Sequence, residues 1–212
     1  MSKIKLYYFW TKNQEELLTK YFLPTFLKYN KENFELVGEE FTNENNVSHF
    51  GSIAFKKLII QKVNAIINIL DNSLENEFFV VSDIDIQFFD SIYDTIIEYM
   101  NKNNDIIFQK ENSGGDTVNT GFMLIKNTKQ TKEFWFNILN DLKSSDENFF
   151  INEQALANLK LDQILSDTFN GTIWNWSQGS LNSKIILHHA NCVATTQDKI
   201  LQLEHVKNYI NG

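Results

Sequence analysis

No arginine occurs in this sequence; all 19 of its basic side chains are lysines. Bidentate guanidinium clamps are therefore unavailable, and any phosphate must be held by lysine, backbone N–H groups, a helix N-terminus or a metal ion. Cysteine is confined to Cys192, which excludes an intrachain disulfide and points to a reducing compartment. Proline is confined to Pro24 and there are only eight glycines, so no stretch reads as a linker, and no internal repeat is visible. No apolar run approaches the roughly 20 residues that span a bilayer. Met1 to Lys5 lead straight into an apolar strand-like segment, without the apolar core or cleavage site of a signal peptide. A basic surplus is missing too: the net charge of -8 argues against a nucleic-acid partner. A nucleotide ligand stays open, because one metal ion offsets phosphate charge locally. These absences lead us to expect a cytoplasmic protein without a transmembrane segment; they say nothing of its oligomeric state.

What is present suits one domain over residues 1–212. The apolar content of 42% in 212 residues is enough for a substantial core. Ile4 to Trp10 reads as a buried strand, Gln14 to Tyr29 as a helix and Phe34 to Val37 as a second strand. Ser52 to Leu70 is an amphipathic helix, with Phe55, Leu58, Ile59, Val63, Ile66, Ile67 and Leu70 at helical spacing and Ser52 as its N-cap. Phe78 to Val81 is a continuous apolar run of strand length, as a strand buried on both faces requires. Ser91 to Met100, Lys132 to Leu142 and Asn152 to Leu159 read as helices. Asp105 to Gln109, Phe122 to Ile125 and Lys184 to Leu187 read as strands. This alternation predicts an α/β sandwich with a mostly parallel central sheet. In such sheets ligands bind beyond the carboxyl ends of the strands.

Asp83 and Asp85 follow the apolar run. In an extended strand, residues two apart face the same way, so the two carboxylates share a face while Ile84 anchors the other. Carboxylates that close repel each other unless water or a cation is present. Mg²⁺ and Mn²⁺ favour such hard oxygen ligands and leave positions open for substrate phosphates. A pair of solvent-facing aspartates at a strand end is the plainer alternative, and D-x-D is a common triplet.

The stretch from Phe79 to Phe88 resembles the D-x-D strand of GT-A fold glycosyltransferases, and more closely the nucleotide-diphospho-sugar transferase family. Three later segments are similar to that family in the same order: Asn119-Thr120-Gly121-Phe122, Asn152-Glu153-Gln154 (with Glu where the family usually has Asp), and His189-Ala190-Asn191 followed by Lys199. Gly51-Ser52 and Lys62 fall where the family carries a helix before the D-x-D strand. The resemblance covers about residues 50 to 200. It implies a nucleotide-binding half, about 1–90, and a half for donor sugar and acceptor, about 91–212.

By resemblance, Asp83, Asp85 and His189 would hold Mn²⁺ or Mg²⁺. Lys199 would neutralise a diphosphate, and Lys62 would contact the nucleotide or support Asp83. Asn119, Gly121 and Gln154 would lie at the donor sugar, and Thr11 near the nucleotide. Glu153, Gln154 and Asp83 would be catalytic, with Glu153 as general base for an inverting reaction. His188, one residue from His189 and on the opposite face, reads as structural. Trp174 and Trp176 share a face and would stack on an acceptor, although core packing is the usual fate of tryptophan. The expected reaction is transfer of a sugar from a nucleoside-diphosphate donor, UDP by default, to a hydroxyl or glycan acceptor. The lack of an anchor is like bacterial and viral members of the fold, which brings surface and capsid glycans to mind as acceptors.

Two other readings compete. A haloacid-dehalogenase-like phosphatase also follows a hydrophobic strand with D-x-D. It usually places Thr or Val two residues after the second Asp, where this chain has Gln87, and its strand comes early. A catalytically inactive glycan- or nucleotide-binding module of the same fold is the other.

Overall fold

The computed structural model describes residues 3–42, 51–112, 114–145, 151–181, 184–193 and 195–212. The chain begins with β1 (Ile4–Trp10), α1 (Glu15–Leu17), a π-helical turn at Leu18–Phe22, α2 (Leu23–Asn30) and β2 (Phe34–Glu40). The wide turn ends two residues before Pro24, which has no N–H with which to continue an ordinary i→i−4 ladder. The single helix expected over Gln14 to Tyr29 is therefore three successive helical pieces. Next come α3 (Ile53–Asn72), β3 (Phe78–Ser82), β4 (Ile86–Phe88), α4 (Tyr93–Met100), β5 (Ile106–Lys110) and β6 (Val118–Lys126). The chain closes with α5 (Lys129–Ser144), α6 (Glu153–Leu159), β7 (Ser166–Thr168), β8 (Ile173–Asn175), β9 (Leu187–His189) and α7 (Thr196–Asn211). Ser52 caps α3 as expected, its Oγ accepting from Phe55 N–H at 3.1 Å.

Among the described residues, six strands form the main sheet in the order β2-β1-β3-β6-β5-β7. β1 runs parallel to β2 and β3, and β5 runs parallel to β7; β6 is antiparallel to both its neighbours. The expected mostly parallel sheet is present. A second sheet, β4-β9-β8, stands beyond the end of β3.

Alternate residues of β3 enter two different cores. Phe79 and Val81 pack with α3 and α5 residues such as Val63, Ile66 and Trp135, while Val80 packs with Leu6, Phe22 and Phe122 on the other face. Burial on both faces accounts for the unbroken apolar run in the sequence. Among the described residues, no helix is long and apolar enough to cross a membrane.

Three expectations shift. The strand expected at Lys184 to Leu187 lies instead at Leu187–His189, which places both histidines in a strand. The strand expected at Phe122 to Ile125 begins earlier, at Val118, and so includes Asn119 and Gly121. The regular strand expected to carry Asp83 and Asp85 ends at Ser82, and both aspartates occupy a bend between β3 and β4.

Candidate active site

The bend is held by its neighbours rather than by sheet alternation. Asp83 N–H donates to Gly121 O at 2.7 Å, and Ala190 N–H donates to Asp85 O at 2.8 Å. Ile84, 1% exposed, is driven into the core between them. The two backbone bonds and this apolar anchor fix where both carboxylates point.

Each aspartate has its own lysine. Lys62, from the middle of α3, is 6% exposed. Its Nζ is 2.8 Å from Asp83 Oδ1 and 3.1 Å from Glu153 Oε1, and it donates to Thr120 O at 3.2 Å. Burial disfavours its charge, but Asp83 and Glu153 outweigh that and raise its pKa above the ordinary lysine value. Lys199, from the first turns of α7, donates to Asp85 Oδ2. Burial works against its charge as well, and Asp85 more than offsets it, so its pKa is raised.

The carboxylates themselves differ. Burial pushes Asp85 up, yet the Lys199 ammonium beside it more than offsets this and holds it well below the usual carboxylate range. For Asp83, burial and the neighbouring Asp85 prevail over Lys62, and its pKa is raised. About a third of the Asp83 side chain, 34%, remains open to water, against 6% for Asp85. Asp85 is the firmly ionised member, and Asp83 is the one open to a ligand.

His189 arrives from β9 with its Nε2 3.4 Å from Asp85 Oδ1 and its Nδ1 2.8 Å from Gln109 Oε1. Gly121 makes room for it: a Cβ there would lie 2.2 Å from His189 Cε1. Asn119 Oδ1 accepts from Gly121 N–H at 2.7 Å, and Asn119 Nδ2 donates to Glu111 Oε2 at 2.6 Å. Glu153, at the start of α6, is 4% exposed. Its Oε1 accepts from Thr120 Oγ1 and pairs with Lys62, whereas its Oε2 has no partner among the described residues. His188 is fully buried on the other face of β9, and burial pushes its pKa down to about 3.

Two adjoining cavities meet at the aspartates. One, about 180 Å³, is walled by Phe9, Trp10, Phe41, Phe55 and Leu58 and also reaches Thr11, Lys62, Asp83, Asp85 and Lys199. The other, about 250 Å³, is lined by Asn119, Gly121, Gln154, His189 and Asn191, again with Asp83, Asp85 and Lys199. Neither alone reaches the roughly 300 Å³ at which drug-sized ligand sites begin, but together they do.

Nine of the residues singled out in the sequence thus line one cavity or both. Glu153, Trp174 and Trp176 line neither. Trp174 is buried with Ile185 and Val206, and Trp176 is 39% exposed, with ring centroids 5.9 Å apart. Gln109, Glu111 and the aromatic wall were missed. Gln109 had a signal, as a polar residue directly after the apolar Ile106–Phe108 run; Phe9 and Phe41 had none that distinguishes them from core.

Asp83, Asp85 and His189 each offer one ligand atom, and all three lie within 4.8 Å of one another. Two hard carboxylate oxygens and one imidazole nitrogen suit Mn²⁺, and Mg²⁺ less closely. The space that Gly121 leaves for the imidazole completes the fit. These residues therefore match a divalent cation.

The sequence profile of the nucleotide-diphospho-sugar transferases matches residues 24–203. No curated protein matches the chain by sequence. Among solved structures, the chain is similar to the glycosyltransferase GlyE of Streptococcus pneumoniae TIGR4, with a TM-score of 0.60, 14% identity, and 98% of this chain and 63% of that one covered. The chain thus spans just under two thirds of the pneumococcal enzyme. It is similar to a glycosyltransferase involved in glycosylation of the major capsid of PBCV-1, with a TM-score of 0.64, 14% identity, and 96% and 100% of the two chains covered. It is also similar to the galactosyltransferase LgtC, with a TM-score of 0.57, 9% identity, and 98% and 95% covered. The fold is the GT-A fold of these neighbours.

Proposed function

The chain belongs to the nucleotide-diphospho-sugar transferase family, and we propose that it moves a sugar from a UDP-sugar to a hydroxyl of a surface or capsid glycan, with a divalent metal bound at the D-x-D bend. The observation that carries this reading is the convergence of Asp83, Asp85 and His189 where the two cavities meet. Mn²⁺ or Mg²⁺ bound there supplies Lewis-acid stabilisation of a diphosphate leaving group.

The chain's own residues divide the remaining work. Lys199 stands in both cavities and supplies positive charge to the diphosphate, a task no arginine is present to share. The aromatic wall and Thr11 take the nucleotide end, and Asn119, Gly121 and Gln154 take the donor sugar. Lys62 stays beneath Asp83 and keeps that carboxylate aimed. Of Glu153, only the Oε2 is free of the Lys62–Thr120 clamp, so any base role falls to that atom. Trp176 offers an open ring for an acceptor sugar, backed by Trp174.

Isothermal titration with UDP and a panel of nucleotide-sugars, with and without Mn²⁺, tests the reading. Binding that requires Mn²⁺, together with slow donor hydrolysis, is the expected result. Asp85→Ala should abolish both, with circular dichroism showing that the variant is still folded. A folded Asp85→Ala protein with full hydrolysis and transfer sinks the proposal. Metal-dependent binding without hydrolysis or transfer identifies an inactive binding module of the same fold.

A further inference from the structure

Gln109 is fully buried, and its place in the sheet is unusual. The β5–β6 ladder pairs Phe108 with Met123 and then, after a register shift, Gln109 with Asn119. Thr120, Gly121 and Phe122 are thereby the extra residues on the β6 side, an irregularity of the kind that re-aims side chains next to active sites. Here it brings the Gln109 amide to the imidazole that Gly121 makes room for.

The facing atoms define the chemistry. Gln109 Oε1 is 2.8 Å from His189 Nδ1, and an amide oxygen can only accept. His189 must therefore carry a proton on Nδ1. In the neutral ring this leaves the Nε2 lone pair facing Asp85 Oδ1 at 3.4 Å. Two acceptors facing each other across that gap repel unless a cation lies between them. Gln109 Nε2, meanwhile, has no partner among the described residues, where the bond to His189 is the side chain's one hydrogen bond.

We infer that Gln109 is the positioning residue of the metal site: it acts through His189, fixing the ring and its tautomer so that Nε2 is offered as a ligand. Hydrogen bonds of this type to ligating histidines are worth 10–100-fold in metal affinity. The inference rests on reading Asp83, Asp85 and His189 as a metal site, and the experiment separates the two.

Mn²⁺ affinity is measured by electron paramagnetic resonance of the protein with Mn²⁺ alone, for the wild type, Asp85→Asn, Gln109→Met and Gln109→Glu. Methionine keeps the shape but removes the acceptor; glutamate restores an acceptor. We expect Asp85→Asn to lose binding, Gln109→Met to bind about 10–100-fold more weakly, and Gln109→Glu to stay within a few-fold of the wild type. Long-range ¹H–¹⁵N NMR of the metal-free wild type should show the neutral His189 ring protonated on Nδ1, a result that needs no variant to fold. A Gln109→Met protein that binds Mn²⁺ like the wild type overturns the inference, as does a neutral ring protonated on Nε2. Absence of Mn²⁺ binding in the wild type overturns the metal reading itself, and the tautomer then decides whether Gln109 directs the ring.

Discussion

The two lysines that serve the aspartate pair are held in opposite ways. Lys62 projects from the middle of a 20-residue helix, is almost wholly buried, and is bound on three sides by Asp83, Glu153 and Thr120. Lys199 comes from the last helix, keeps 25% of its side chain open, and its described partner is Asp85 alone. A cation fixed from three sides cannot leave to follow a substrate. A cation with one partner at the mouth of two cavities can exchange that partner for a phosphate. On the proposed reading Lys62 belongs to the framework and Lys199 meets the ligand, although both are lysines paired with aspartate.

Substituting each lysine breaks the comparison most directly. Lys62→Met leaves two carboxylates without their shared cation, and breaking such a buried pair costs about 3–5 kcal/mol. Chemical denaturation should show that loss. Because the pKa of Lys62 is raised on folding, its contribution is complete below its ordinary value near 10.5 and is lost as pH rises through the folded value. The gap between wild type and variant should therefore be level at neutral pH and narrow above pH 10.5. Lys199→Met should lower transfer about 100-fold, the loss expected for one charge-stabilising donor. Its stability should fall by less than that of Lys62→Met, since Lys199 keeps 25% of its side chain open and its removal leaves one carboxylate unpaired rather than two. Equal stability losses in the two variants would defeat the division of roles.

His188 probes the same strand without touching either lysine. Its pKa falls from 6.5 to about 3 on folding, so its contribution is complete above pH 6.5 and is lost as pH falls toward 3. Between pH 7 and pH 4.5 the wild type should lose about 2–3 kcal/mol through this group. His188→Phe, which keeps a ring against Trp174, should remove that part of the acid dependence. Paired denaturation curves at the two pH values check it.

A smaller effect on stability than at Lys62 is expected at Gly121. Gly121→Ala puts a methyl group into the His189 ring, and such overpacking costs about 1–3 kcal/mol. Mn²⁺ affinity should fall by more than stability does, because the displaced group is a proposed ligand. A variant with unchanged Mn²⁺ affinity would show that the His189 ring is not held by this contact.

Much of this was legible along the chain. The apolar run before the aspartates, the amphipathic helix capped by Ser52 and the alternation of elements come from local patterning, and the structure bears them out. β7 and β8 were not legible. Each has three residues, too few to show a period, and they form only because β5 and β9 offer them edges. Helix α7 was missed as well. Its buried residues Ile200, Leu203 and Val206 recur every third position in a largely polar stretch, a weaker signal than the apolar stripe of α3.

The sequence by itself determined the residue types at the site. It contains two carboxylates after a buried strand, an imidazole, lysines in place of any arginine, and a glycine between Thr120 and Phe122. Only the tertiary structure decided how they work together. A sequence-local rule placed Asp83 and Asp85 on one face of a strand. In fact a bend holds them, stabilised by hydrogen bonds to Gly121 and Ala190, residues far along the chain. Which lysine joins which aspartate, and that Gln109 meets His189, depend on contacts between residues 21, 114 and 80 positions apart. Periodicity reports which face of one element is apolar; it carries no information about which polar atoms several elements bring to one point.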